Sequence, residues 1–263
     1  VSITFEGFVG RSIEGRDVWV GGSGPAVIVI HEMPGLHPGV VEFARRLTAA
    51  GFTAYLPSLF GVPGRSFSMG ESMRSILRCC VSREFTVFAT GRTSPIVDWL
   101  RRLAAVAHGE CGGPGVGAVG MCFTGGFALA MAVDDRMLAP VLSQPGMPPP
   151  IGARRRAALQ LSDGDLARIK ERAAAGGLCA LGLRFTNDPA VPAERFATLR
   201  RELGDAFIAV EIDSGAGNPH GIPNDAHSVL TLHLTDEPGH PTRAALDRVI
   251  AFYRERLLPA PVG

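Results

Sequence analysis

Net charge is almost absent from this chain. Lys and Arg total 26 against 25 Asp and Glu, so no field of one sign is available to draw in nucleic acid or an anionic membrane surface. Long apolar runs are absent too: none approaches the ~20 residues that a bilayer-spanning helix needs. The first residues, VSITFEGFVGRSIEGRD, carry charges and hold no apolar core of the secretory kind. The expectation is a cytoplasmic protein without a secretory signal. Cysteine is sparse and follows no pairing pattern. The five (Cys79, Cys80, Cys111, Cys122 and Cys179) make an odd number with no CxxC spacing, which argues against a disulfide framework or a zinc ribbon and fits a reducing compartment. There is no internal repeat, and the 33 Gly and 20 Pro are dispersed as turn residues rather than gathered into low-complexity tracts.

What is present is a 46% hydrophobic chain of 263 residues, the size of one large α/β domain. ITFEGFVG and RDVWVGG, joined by the polar RSIEG, read as an N-terminal antiparallel hairpin. PAVIVI (25–30) is a continuous apolar run, as expected of a strand buried on both faces. GVVEFARRLTAAG then places Val40, Val41, Phe43, Ala44 and Leu47 on one helical face. FTAYLP, GVGAVG, LAPVLSQ, LCALGLRF and AFIAVEID read as further strands. SPIVDWLRRLAAVAHG, FTGGFALAMAV, DGDLARIKERAAAGG, PAERFATLRREL and TRAALDRVIAFYRERL read as the helices among them. Such alternation implies parallel βαβ units in an open sheet covered on both faces, one domain over residues 1–263. Residues 62–93 fit the alternation less well and are expected to form a cap or access segment over the sheet's C-terminal edge. The RRR at 154–156 reads as a solvated turn.

Two motifs fail on context. HEMPGLH resembles HExxH, but a zinc-binding pair sits four apart on a helix, whereas His31 and His37 are six apart around Pro34-Gly35. GVGAVG (115–120) matches GxGxxG literally, yet its glycines precede and form the strand instead of following it into a helix, so a nicotinamide site is not expected.

The heptapeptide GMCFTGG (120–126) is different. It lies between a buried strand and a helix, where the nucleophile elbow places a reactive side chain at a sharp turn among small residues. Cys122 occupies the apex. Gly120 stands two before it, but Thr124 stands two after, and the glycines come at 125 and 126. The competing reading is a small buried core cysteine. Chain order supports the elbow, because such hydrolases run nucleophile, acid, base, each on a loop after a strand. Asp188 follows LCALGLRF, and its alternative role is a turn or cap. His220 and His227 both follow AFIAVEID, and spacing does not choose between them.

Taken together, VIVIHEMPGLHPGVVEFARRLTAAGFTAYLPSLFG, GVGAVGMCFTGG, NDPAVP and AHSV resemble the dienelactone hydrolase family of the α/β-hydrolase superfamily over nearly the whole chain. The resemblance implies an α/β-hydrolase fold with Cys122 as nucleophile and Asp188 as the acid. It selects His227, which precedes a serine, as the base. It implies that Glu32, after the early strand, contacts the resting thiol and takes part in its activation. It implies an oxyanion hole from the amides of Phe123 and Met33. Thr124 departs from the family's usual glycine. Thr231 stands where the family enzyme that opens dienelactone has a carboxylate-binding arginine, and Arg78 or Arg83 are the candidates to replace it.

The function so implied is hydrolysis of a small ester or lactone through an acyl-cysteine intermediate. The chemistry is a thiolate held by an imidazole whose tautomer a carboxylate fixes. No metal or organic cofactor is implied, and the partner is a small-molecule substrate of a monomer or homodimer. A thioesterase or broad carboxylesterase on the same triad, and a ligand-binding protein that has lost turnover, are the alternatives.

Overall fold

In a computed structural model, which describes residues 5–66 and 94–258, the apolar runs become one eight-stranded sheet. Its strands are β1 (Val9–Ile13), β2 (Arg16–Gly22), β3 (Ala26–Ile30), β4 (Thr53–Pro57), β5 (Val116–Met121), β6 (Met137–Ser143), β7 (Ala180–Phe185) and β8 (Phe207–Ile212). Their order is β1-β2-β4-β3-β5-β6-β7-β8. The β1–β2 and β2–β4 pairs are antiparallel, and all the others are parallel. The helices are α1 (Pro38–Ala49), α2 (Pro95–Cys111), α3 (Gly125–Met131), α4 (Gly152–Ala157), α5 (Asp163–Ala174), α6 (Ala193–Leu203) and α7 (Pro241–Leu257). This is the α/β-hydrolase architecture.

The period-2 alternation of strand side chains divides the apolar residues between two cores, one on each face of the sheet. In β3 every residue is buried. Ala26, Ile28 and Ile30 enter the core shared with α2, α3, α5 and α6, while Val27 and Val29 enter the one shared with α1 and α7. The predicted apolar stripe of α1 is the buried one, Val40, Val41, Phe43, Ala44 and Leu47. Ser94 caps α2, with Pro95 in its first turn.

Four local expectations differ from the structure. The first strand is Val9–Ile13 rather than the aromatic ITFEGFVG, and the hairpin turns at Glu14-Gly15, both at positive φ (50° and 79°). Phe5 and Phe8 form a small bridge of their own, and Phe5 packs on Trp19 at 5.2 Å between ring centres. The polar RSI can pair at the sheet edge because an edge strand needs no apolar alternation to hold its backbone bonds. Helix α2 runs past its expected end at Gly109 to Cys111, and Cys179, expected within the strand, is half-buried just before β7. Arg154–Arg156 form the last turn of the short helix α4. A 3₁₀ turn, Cys122–Thr124, precedes α3.

Of the expected access segment, Gly64 donates its N–H to Leu36 O at 2.8 Å. Residues 67–93, with Arg78, Arg83, Cys79 and Cys80, lie outside the described residues.

Candidate active site

β5 delivers Cys122 at a turn with φ 54°, a left-handed conformation unusual for a residue with a side chain. The turn is tight. A Cβ on Gly120 would stand 2.2 Å from Thr124 O, and one on Gly125 would stand 2.6 Å from Pro145 Cα. Those two glycines are therefore required. At position 124 a side chain fits and is used: Thr124 Oγ1 accepts the Met121 N–H at 3.0 Å and donates to the last carbonyl of β3, Ile30 O, at 2.9 Å. The hydroxyl fastens the elbow to the neighbouring strand.

Asp188 lies on the turn after β7, and one carboxylate oxygen accepts the Ala190 N–H at 2.9 Å. Its other oxygen accepts from His227 Nδ1 at 2.6 Å. Cys122 and His227 meet beside Gly146, from whose Cβ position Cys122 Sγ is 3.8 Å away and His227 Cε1 is 3.7 Å away. Burial on its own would push the His227 imidazole pKa down. The charge of Cys122 and the bonds to Asp188 and Cys122 outweigh it and hold the pKa well above the ordinary histidine range. His220 is exposed, its ring 5.4 Å from that of His240, and it makes no bond to Asp188 among the described residues.

Glu32 is 2% exposed and takes four hydrogen bonds. His37 Nε2 (3.2 Å) and Thr231 Oγ1 donate to Oε1, while Ser228 Oγ (2.7 Å) and Gln144 Nε2 (3.0 Å) donate to Oε2. Burial pushes the carboxyl pKa up, but the bonds from His37, Thr231 and Ser228 more than reverse this and leave it below the usual range. Among the described residues no bond joins Glu32 to Cys122. The partners that hold it join the loop after β3, the end of β6 and the loop carrying His227. Thr231 thus faces this carboxylate with its hydroxyl committed to it.

Met33 sits buried in the loop after β3, and Phe123 follows Cys122 half-buried, its ring 6.2 Å from both Phe60 and Phe127. His31 and His37 answer to different groups. His31 Nε2 accepts the Leu59 N–H and its Nδ1 faces Glu32 O, both at 3.0 Å. Burial lowers its pKa to about 4. His37 caps α1 through Nδ1, which accepts the Gly39 N–H at 3.2 Å. Among the described residues no cluster of three His, Cys, Asp or Glu could hold a metal ion. Gly117 lies inside β5, where its missing side chain makes room for the Tyr253 ring.

Several supporting residues carry little signal in the sequence. Gln144 adopts φ 36° and, besides donating to Glu32, accepts the Val229 N–H at 3.3 Å. His233 Nδ1 accepts the N–H groups of His227 (3.3 Å) and Ser228 (3.1 Å), fixing that loop. Arg195 is 1% exposed and, among the described residues, donates to carbonyls alone: Ala158 O (3.0 Å), Pro148 O (2.7 Å), Arg155 O (3.1 Å), Ala190 O (3.4 Å) and Pro145 O. It ties the segment bearing Gly146 to the one bearing Asp188. Burial, with the Arg156 charge, brings its pKa down to about 10. The one available clue is that Arg195 stands beside Phe196 and Leu199 on the apolar side of α6, where a charge needs buried partners.

Solved structures share this fold at low sequence identity. A dienelactone hydrolase-like promiscuous phosphotriesterase from metagenomic libraries superposes with TM-score 0.61 at 19% identity, over 95% of this chain and 97% of its own. A dienelactone hydrolase from Anabaena variabilis gives 0.54 at 17%, over 95% and 97%. Est1E from Butyrivibrio proteoclasticus gives 0.52 at 14%, over 95% and 98%. No curated protein matches the sequence. The model of the dienelactone hydrolase family matches residues 13–256. With the sheet, the elbow and the family pattern in agreement over that length, the chain belongs to the dienelactone hydrolase family and is a carboxylic ester hydrolase.

Proposed function

We propose that this hydrolase opens small lactones or cleaves small esters through an acyl-Cys122 intermediate. The observation that carries the reading is the 2.6 Å bond from His227 Nδ1 to Asp188, with His227 and the strained Cys122 gathered beside Gly146. The Cys122 thiolate attacks the carbonyl carbon, and the amides of Phe123 and Met33 receive the developing oxyanion. The His227 imidazolium, oriented by Asp188, protonates the departing alkoxide. Water, deprotonated by His227, then cleaves the thioester. A lactone leaves as a hydroxy acid, because its alkoxide is tethered to the acyl group. Glu32 acts in this scheme by fixing the loops that carry Met33 and His227.

The test is kinetic. Cys122→Ala should abolish hydrolysis while still giving a single cooperative melt, and His227→Ala should lose far more activity than His220→Ala. Retained activity in Cys122→Ala would remove the nucleophile. The Thr231 hydroxyl is engaged by Glu32 and brings no charge to the substrate. Neutral lactones should therefore show higher kcat/KM than carboxylated dienelactones of similar size, and the reverse order would mean that another cation supplies the clamp. A thioester in the same panel separates thioesterase from esterase activity.

A further inference from the structure

A cavity of about 680 Å³ lies between α4, the start of α5 and α6. That is within the range of small-molecule sites. Its walls include Leu159, Leu161 and Leu166, all only partly covered. Arg154 and Arg155 also line it, both exposed, and neither has an ion pair among the described residues. Glu202, whose charge is met by Arg201 and Lys170, lines it as well, and so does Gln160. Gln160 is 6% exposed, it sits at φ 57°, and among the described residues neither its Nε2 nor its Oε1 has a hydrogen-bond partner. A sheltered amide with one donor side and one acceptor side both unpaired is costly. Turning it toward an occupant that offers an acceptor and a donor side by side would remove that cost.

We propose that this cavity is a binding site for a small hydroxycarboxylate with an apolar body. The carboxylate pairs with Arg154 and Arg155 and accepts from Gln160 Nε2, the neighbouring hydroxyl donates to Gln160 Oε1, and the body lies on the leucines. Cleavage of an ester of a 2-hydroxy acid yields acids of this class, so the choice of ligand, though not the site, leans on the function proposed above. Arg195 donates to the carbonyls of Arg155, Ala158 and Pro148 in this wall and to that of Pro145 beside Gly146, so the two regions share a brace.

Mandelate carries the required groups and cannot be hydrolysed. Calorimetric titration of the full chain should give saturable binding, about tenfold tighter than for phenylacetate, which lacks the hydroxyl. Gln160→Leu should bring mandelate down to the phenylacetate level. The Arg154→Ala/Arg155→Ala double variant, altered only at exposed positions, should weaken both ligands by about tenfold or more. Methyl resonances of Leu159, Leu161 and Leu166 should shift on binding, and capping Cys122 with iodoacetamide should leave the affinity unchanged. The site is overturned by the absence of saturation up to about 10 mM, by equal affinity for the two acids, or by insensitivity to the arginine variant. Loss of binding on capping would place the acid at Cys122 instead. None of these outcomes depends on whether Cys122→Ala is inactive.

Discussion

Thr124 stands where the family usually has glycine, and its hydroxyl does what a glycine cannot, closing a bond from the elbow to the end of β3. Thr124→Val keeps the shape and removes the oxygen, so the buried Met121 N–H loses its acceptor. The expected cost is about 1–3 kcal/mol in a denaturant melt, while Thr124→Ser should stay near wild type. At His227 the consequence concerns protonation. Its pKa is raised, so the imidazolium persists above the ordinary value of 6.5. The stabilisation it gives the fold is complete below that value and is lost as pH climbs through the raised one. Ring-nitrogen NMR should find both nitrogens protonated at neutral pH in the wild type. In Cys122→Ala, where the attraction to Cys122 is gone, the titration should move to lower pH. An unchanged titration would show that Cys122 carries no charge beside it.

At the scale of elements, each loop at the site is held by something distant in sequence. Arg195 on α6 reaches carbonyls after β6, after β7 and in α4. Arg195→Met would leave these carbonyls sealed without donors and should destabilise by about 3 kcal/mol or more. Arg195→Lys should rescue little, since an ammonium cannot reproduce the planar fork; a near-native melting curve for the lysine variant would refute the brace. The strands and helices themselves were legible because apolar period marks them, as in AVIVI and the α1 stripe. The first strand was misread because Phe5 and Phe8 look like strand residues while packing from a turn beside Trp19. Cys122, Asp188 and His227 could be located because each follows a recognisable strand, though choosing His227 over His220 needed the family pattern. The surroundings of Glu32 could not be read in this way. Gln144, Ser228 and Thr231 are 112, 196 and 199 residues away from it, and no local pattern encodes such meetings.

For the whole molecule, the two cores share every central strand, and each contains one of the chain's two tryptophans: Trp99 in one and Trp19 in the other. If residues 1–263 form a single folding unit, Trp19→Phe and Trp99→Phe should melt with coincident fluorescence and circular-dichroism transitions, each reporting one core. Separated transitions would divide the sheet into independent parts. No helix among the described residues is long and apolar enough to cross a membrane. Much of the exterior is laced by exposed pairs such as Arg243–Asp236 and Arg168–Asp135. Such pairs weaken as ionic strength rises, because dissolved ions shield charges separated by water. The Arg195 brace answers to different physics. Its partners are peptide dipoles packed around a guanidinium that solvent ions do not reach, so concentrated brine would slacken the periphery while leaving the spacing between Gly146 and Asp188 as it is in dilute buffer.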